Sequence, residues 1–478
     1  MNKKYYVNSL IVVLLMICTR FIPPLGSMTP LGMTILGIFL GALYGWITCD
    51  MIWPSILALI MLGFTDYAEN VGSVFTQGMS NGVIQLIIWL LVFSAVLTTS
   101  GISKVLVTKL VGSKLCQGHP WRLSFIIMLA VWFCAAFGAG FAAILLTWQF
   151  VYSIAEQVGY TKKDKWPRMM ICGIIFFNAL GALSLPFQAG VAAVYGYLGT
   201  ASEGKYGEYN FGQYIIFTYI LCICVMAVYM LLCRFLINPD VSKLTGDIKI
   251  EKTEPMNTKQ KIAAVALLAI LILTIVPSVL SPGPAKAFLT RFGTNAIVLA
   301  LIAVITFLRD KEGKPYFTFK ELANQGLIWN LVFMVATATV VGGALASQDC
   351  GFTGTIISAC TPILGNVNGF VCAAIIATIT MLLTNVINNS VATAIMIPVM
   401  YPFAQKYGIN PTMMAALIGM CANCGLLLPC ASPAGALLHG NKEWVSSKNA
   451  VLYSLLGIAA LLGMAIIVGI PLGTAIFK

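Results

Sequence analysis

The chain has 478 residues, of which 59% are hydrophobic and 9% charged, where soluble domains carry about 25% charged residues, and this excludes an ordinary soluble enzyme. The net charge of +12, from 28 Lys and Arg against 16 Asp and Glu, sits in short connectors with no basic stripe interleaved by aromatics, so no nucleic-acid partner is expected and the positive-inside rule accounts for the excess. The 14 cysteines lie mostly inside apolar runs, where they behave as small hydrophobes, and no disulfides are expected.

A helix that crosses a bilayer needs about 20 apolar residues, and the sequence divides on that scale. In chain order the expected spans are 7–24, 31–48, 52–64, 83–101, 167–199, 213–236, 262–281, 290–308, 327–346, 412–438 and 450–475. The fold class is therefore all-α, a polytopic membrane protein with about eleven transmembrane helices. The first span follows Lys3 and Lys4 like a signal peptide but lacks a small-residue cleavage site, so we read it as a retained helix.

Two more apolar stretches, 121–157 and 367–404, are too long for one span and are interrupted at Gly138-Ala139-Gly140 and Asn388-Asn389-Ser390. Each is expected to be a re-entrant hairpin, a shape tolerated only where its tip is buried in protein or lines a wet cavity. The charges support this. With a cytoplasmic N-terminus and two hairpins, only Lys205, Lys286, Arg291, Lys406 and Lys478 among the 28 basic residues fall outside, with Arg20 left in the first span. Treating the first hairpin as a span would flip everything after it and scatter the charges.

An internal repeat follows the same landmarks. Gly101 and Gly351 close corresponding spans at the interval that also separates 138–140 from 388–390, and Asn178, Gly181 and Pro186 are answered by Asn423, Gly425 and Pro429. The expected organisation is an N-terminal helix (1–30), a first repeat (31–236, with hairpin 121–157 and broken helix 167–199), a cytoplasmic connector (237–261), and an inverted second repeat (262–478, with hairpin 367–404 and broken helix 412–438). Secondary transporters use inverted repeats with discontinuous helices to place a site at the membrane midplane.

Broken helices expose N–H groups that attract anions at one end and C=O groups that attract cations at the other. Asn388, Asn389 and Ser390, preceded by Thr384 and Asn385, open one half-helix; a helix cap or interhelical polar contact is the plainer reading of any one of them. Pro429-Cys430-Ala431-Ser432-Pro433-Ala434-Gly435 forms a second break, since two prolines four apart cannot sit in an unbroken helix. Its counterpart, Leu185-Pro186-Phe187-Gln188-Ala189-Gly190, keeps one proline and is equally consistent with a kink. Cys421-x-x-Cys424 has no second pair or nearby His to complete a zinc site. His119 and His439 lie at helix ends, Asp50, Glu156 and Asp349 near span ends, and no catalytic constellation is evident, so the chain is not expected to be an enzyme.

Thr384-Asn385-Val386-Ile387-Asn388-Asn389-Ser390-Val391-Ala392-Thr393-Ala394 leading to Pro398, and Leu428-Pro429-Cys430-Ala431-Ser432-Pro433-Ala434-Gly435 leading to His439-Gly440, resemble the divalent anion/sodium symporter family, which includes succinate, citrate and tartrate carriers and sulfate permeases. Trp46-Ile47-Thr48-Cys49-Asp50 into Pro54 is similar to that family's Trp-Ile-Thr-Glu run. The resemblance spans nearly the whole chain. It implies that Asn388, Asn389 and Ser390 replace the family's Ser-Asn-Thr as substrate ligands, that Ser432 stands where the family has Thr, and that Asn389, Pro429, Ala431 and Ser432 contribute to a Na⁺ site. In the first half Gly138, Ala139 and Gly140 replace Ser-Asn-Thr, and Gln188 with Ala189 and Gly190 replaces part of Thr-Pro-Pro-Asn, so side-chain ligands are missing there. Backbone N–H groups at the glycine-rich tip remain available to an anion.

The expected function is secondary transport of small organic anions, di- or tricarboxylates first, by elevator-type alternating access in a bacterial-type cytoplasmic (inner) membrane. No cofactor is expected beyond Na⁺ as coupling ion, with anion exchange as the other coupling. The resemblance implies a homodimer in the lipid bilayer with a small anion as substrate, Gln188 and Pro433 bordering the site. A carrier of inorganic oxyanions or monocarboxylates is the alternative, ahead of an anion channel.

Overall fold

The computed structural model describes residues 3–112, 118–245, 255–281, 283–364, 367–429 and 431–477; Lys114, Cys430, Lys478 and part of the expected connector lie outside them. After α1 (Lys3–Cys18) come two runs of elements in the same order. The first is α2 (Pro30–Thr48), α3 (Ile52–Leu62), α4 (Val71–Ser80), α5 (Gly82–Ser100), α6 (Ile102–Val111), α7 (Pro120–Ala136), α8 (Gly140–Gln157), α9 (Lys165–Gly181), α10 (Ala189–Ala201) and α11 (Phe211–Leu232). The second is α12 (Thr258–Val279), α13 (Pro284–Phe307), α14 (Phe319–Gly326), α15 (Trp329–Ala346), α16 (Phe352–Leu364), α17 (Gly369–Thr384), α18 (Asn389–Lys406), α19 (Pro411–Ala422), α20 (Pro433–Gly440) and α21 (Ser447–Met464), which α22 (Ile470–Ile476) extends.

Among the described residues, 8 helices are long and apolar enough to cross a membrane, fewer than the eleven spans expected. The difference lies in three places. Stretch 52–64 forms a helix of 11 residues, and 167–199 and 412–438 are each two half-helices, α9 and α10 separated by irregular backbone at 182–188, and α19 and α20 by irregular backbone that includes 423–429. Neither half alone reaches the length a bilayer requires.

The correspondence between the runs extends to backbone conformation. Gly101 between α5 and α6 and Gly351 between α15 and α16 have φ of 67° and 65°, a left-handed conformation that glycine adopts without a Cβ clash. The sequence reading assigned no element to the short helices α4 and α14. Each packs on the long helix of the other run: Gly326 of α14 lies against the Leu91 carbonyl of α5, and Gly78 of α4 faces Ala336 and Val340 of α15.

Both interrupted stretches enter and leave on one face. The start of α7 meets the start of α9 through Trp166 Nε1, which donates to Ser124 Oγ at 2.9 Å, and the loop after α8 returns to that level. There Lys243 Nζ donates to the Gly159 carbonyl at 2.8 Å, Tyr160 Oη to Asp240 O at 2.7 Å, and Lys165 Nζ to Ile237 O at 2.8 Å. Lys162 also pairs with Glu443 from the loop after α20. The loops that the charges place on one side are thus gathered on one face. In this loop the Thr161 N–H and hydroxyl donate to Asp164 at 2.6 and 2.9 Å, holding its carboxyl below the usual carboxylate range. The second hairpin opens to the opposite face. Gly369 at the start of α17 lies against Tyr407 and Ile409 beyond the end of α18, and Tyr401 meets Tyr206 from the loop before α11, ring centroids 6.2 Å apart.

Large buried side chains join these elements. Phe176 and Phe177 of α9 pack on Tyr229 of α11, and Phe176 fills the space left by Gly457 of α21. The described cysteines are free thiols, most of them buried.

Candidate substrate and ion site

The two hairpin tips and the two helix breaks meet at the centre of the fold. At the second tip, Asn388 caps α18 by accepting from Ser390 N at 2.9 Å. Asn385 Oδ1 accepts from Leu426 N and Leu427 N, both at 3.0 Å, so one amide satisfies two donors freed by the α19–α20 break. Thr384 Oγ1 donates to Asn389 Oδ1 at 2.9 Å and to the Ala422 carbonyl. Asn389 Nδ2 donates to Asn423 O at 3.1 Å, and Asn423 Nδ2 crosses to the other run to donate to Ala179 O at 2.6 Å. Tip and break are therefore one hydrogen-bonded unit tied to α9.

The first tip is arranged differently. Gly138 has φ of 80°, and Ser94 of α5 donates to its carbonyl at 3.4 Å. A Cβ at Gly140 would overlap Asn178 Oδ1 of α9, whereas in the second half a Cβ at Gly425 would overlap Asn389 Oδ1 of the hairpin. The amide that fills the gap between tip and break comes from the broken helix in one half and from the hairpin in the other. That is why the first tip has glycine where a polar side chain would otherwise stand.

Between the halves lies a cavity of about 50 Å³. Asn389, Ser390 and Thr393 of α18 and Asn423 supply its polar side; α10 presents Gly190, Ala193, Val194 and Tyr197, and Leu183 and Leu331 close the rest with Gly419. Among the described residues, no Asp, Glu, Lys, Arg or His lines it. The N-termini of α18, at Asn389 and Ser390, and of α10, at Gly190, border the cavity, and a helix N-terminus carries roughly half a positive charge.

Tyr197 was missed by sequence reasoning. It is 3% exposed, and its hydroxyl has no hydrogen-bond partner among the described residues. The signal available was its place on the helical stripe Gly190, Ala193, Val194, Tyr197, hidden by the apolar composition of α10.

The other site residues sort as follows. Asn388, Asn389 and Ser390 are brought together; Gly138, Ala139 and Gly140 form the first tip but do not line the cavity. Gln188 donates through Nε2 to the Ala136 carbonyl, so its amide fastens the first hairpin to its break. Ser432 caps α20, accepting from Gly435 N at 2.9 Å and donating to Gly425 O at 2.6 Å, with Pro433 in the first turn. Pro429 is exposed and Ala431 buried, with Ala431 N donating to Leu428 O at 3.2 Å. Three oxygens converge beside them. A Cβ at Gly435 would lie 3.0 Å from Leu428 O, 3.2 Å from Gly425 O and 3.3 Å from Ser432 Oγ. Hard cations favour such a neutral, all-oxygen set. His439 Nε2 stands 3.3 Å from Leu426 O, a carbonyl that can only accept, so Nε2 carries the proton. Cys421 and Cys424 are buried free thiols, and no cluster of three or more metal-ligating His, Cys, Asp or Glu occurs among the described residues.

Residues 3–476 match the family described as the sodium:sulfate symporter transmembrane region. Among curated proteins no match is found. Among solved structures the fold is similar to that of the YdaH transporter of Alcanivorax borkumensis, with a TM-score of 0.58 and 16% identity, covering 84% of this chain and 86% of that one.

Proposed function

Because the chain belongs to the sodium:sulfate symporter family, and is thus a membrane-embedded secondary transporter of anions, we propose that it carries compact anions coupled to Na⁺, each held by one anionic group at the Asn388-Asn389-Ser390 tip. The observation that carries this reading is the cavity between the halves, where Asn389, Ser390 and Thr393 of α18 and Asn423 gather the polar groups on one side. The N-terminus of α18, the Ser390 hydroxyl and the Asn389 and Asn423 amides serve one oxyanion; Leu183, Val194 and Leu331 suit a small remainder. Monocarboxylates and sulfate-like oxyanions therefore rank first. Na⁺ is held by the carbonyls of Gly425 and Leu428 and the Ser432 hydroxyl, a set shifted from the Pro429, Ala431 and Ser432 positions that the sequence pattern suggests.

Di- and tricarboxylates are the second reading. The N-terminus of α8 at Gly140 favours it, since backbone N–H groups there can receive a second carboxylate. In either case the paired tip-and-break units move as one body against α2–α4 and α12–α14, an elevator motion, within a homodimer of a bacterial inner membrane with the N-terminus cytoplasmic.

Isothermal titration calorimetry of the purified protein tests the substrate class. Acetate and sulfate should bind, more tightly with Na⁺ than with choline, and Gly435→Ala should remove the Na⁺ effect by filling the oxygen cradle. Tighter binding of succinate or citrate than of either compact anion would replace the first reading by the second.

A further inference from the structure

We propose that the groove between the start of α7 and the end of α11 binds an anionic phospholipid of the surrounding bilayer. The groove has a volume of about 520 Å³, with walls that include Phe125, Ile126, Met230 and Leu231 and two cationic groups, Arg122 and Arg234. No acidic residue lines it, and neither arginine takes part in an ion pair among the described residues. The Arg234 guanidinium lies 5.7 Å from the centre of the Trp121 ring, an arrangement that orients it while leaving its hydrogen-bonding edge unused.

Arg122 and Arg234 are exposed, and two cations side by side at the edge of an apolar wall attract an anion. A guanidinium matches a phosphate with two parallel N–H···O bonds, and basic pockets between transmembrane helices take anionic headgroups. Position also favours lipid. The groove lies at the level of Ser124 and Trp166, on the face that gathers the lysine-rich loops, and a tryptophan at its edge is typical of the headgroup zone. Beside it Leu231, Phe235 and Leu236 are exposed, so its apolar wall runs on into hydrocarbon. Free phosphate would use the arginines but gain nothing from that wall, whereas an acyl chain would use both.

The test is native mass spectrometry of the full chain in detergent with phosphatidylglycerol, phosphatidylcholine or inorganic phosphate added. Phosphatidylglycerol should be retained in preference to phosphatidylcholine. Arg122→Gln and Arg234→Gln should each weaken it about fivefold and the double variant about thirtyfold, while Lys448→Gln changes nothing. Ile126→Glu keeps both arginines, places a carboxylate on the wall, and should also lose the lipid, which decides the matter if the arginine variants fail to fold. Equal retention of phosphatidylcholine, displacement by millimolar inorganic phosphate, or unchanged phosphatidylglycerol binding in a folded double variant or in Ile126→Glu would overturn the proposal.

Discussion

Tyr197, Ser390 and Gly140 show how single residues set the chemistry of the site. A buried hydroxyl without a partner costs about 1–3 kcal/mol, so Tyr197→Phe should leave thermal stability of the ligand-free protein unchanged or slightly raised. If the phenol donates to the bound anion, the same variant weakens anion affinity about tenfold, a 1.4 kcal/mol effect; a fall in melting temperature with unchanged affinity would assign Tyr197 to packing alone. Ser390→Ala should likewise raise KM about tenfold or more without unfolding the protein, because Ser390 lines the cavity. Glycine at position 140 could be read in the sequence as a missing side-chain ligand, but its reason could not, because the neighbour that requires it, Asn178, sits on another element. Gly140→Ala should accordingly destabilise by about 1–3 kcal/mol in a denaturant or thermal melt, the usual cost of overpacking a filled core.

Among the elements, each hairpin is held to its break by side-chain amides rather than by apolar packing alone. Asn385→Leu would leave the N–H groups of Leu426 and Leu427 without their acceptor, at about 1–3 kcal/mol each, and we expect a lower melting temperature together with lost Na⁺ dependence as the break loosens. The hairpins and breaks were legible in the sequence because proline, glycine and clustered asparagine interrupt apolar runs too long for one span. The partners of individual polar groups were less so: Ser432 accepts from Gly435 N and Gln188 donates to the Ala136 carbonyl, bonds that no linear pattern specifies. Helices α4 and α14 escaped notice because 10 and 8 residues of mixed polarity fall below any spanning length, and only contact with the opposite run reveals what they bury.

For the whole molecule, sidedness follows from charge. The loops carrying Lys162, Lys165 and Lys243 meet on one face, and the second hairpin opens to the other. Reporters fused after Lys114, after Lys163 and after Asp240 should appear on the same side of the membrane, and one after Gly204 on the other; a reporter after Lys163 opposite to that after Lys114 would make the first hairpin a span. Charge counting yields an expected topology without coordinates, whereas the mutual arrangement of the tips depends on contacts between residues more than 200 positions apart, such as Asn423 with Ala179.

The most direct measurement is uptake of labelled acetate and sulfate into proteoliposomes under an inward Na⁺ gradient, with choline in place of Na⁺, and with unlabelled anion preloaded inside. Saturable uptake against the anion's own gradient is expected with Na⁺ only, abolished by Asn389→Ala in protein that remains folded. Uptake that ignores Na⁺ and requires preloaded anion would contradict it.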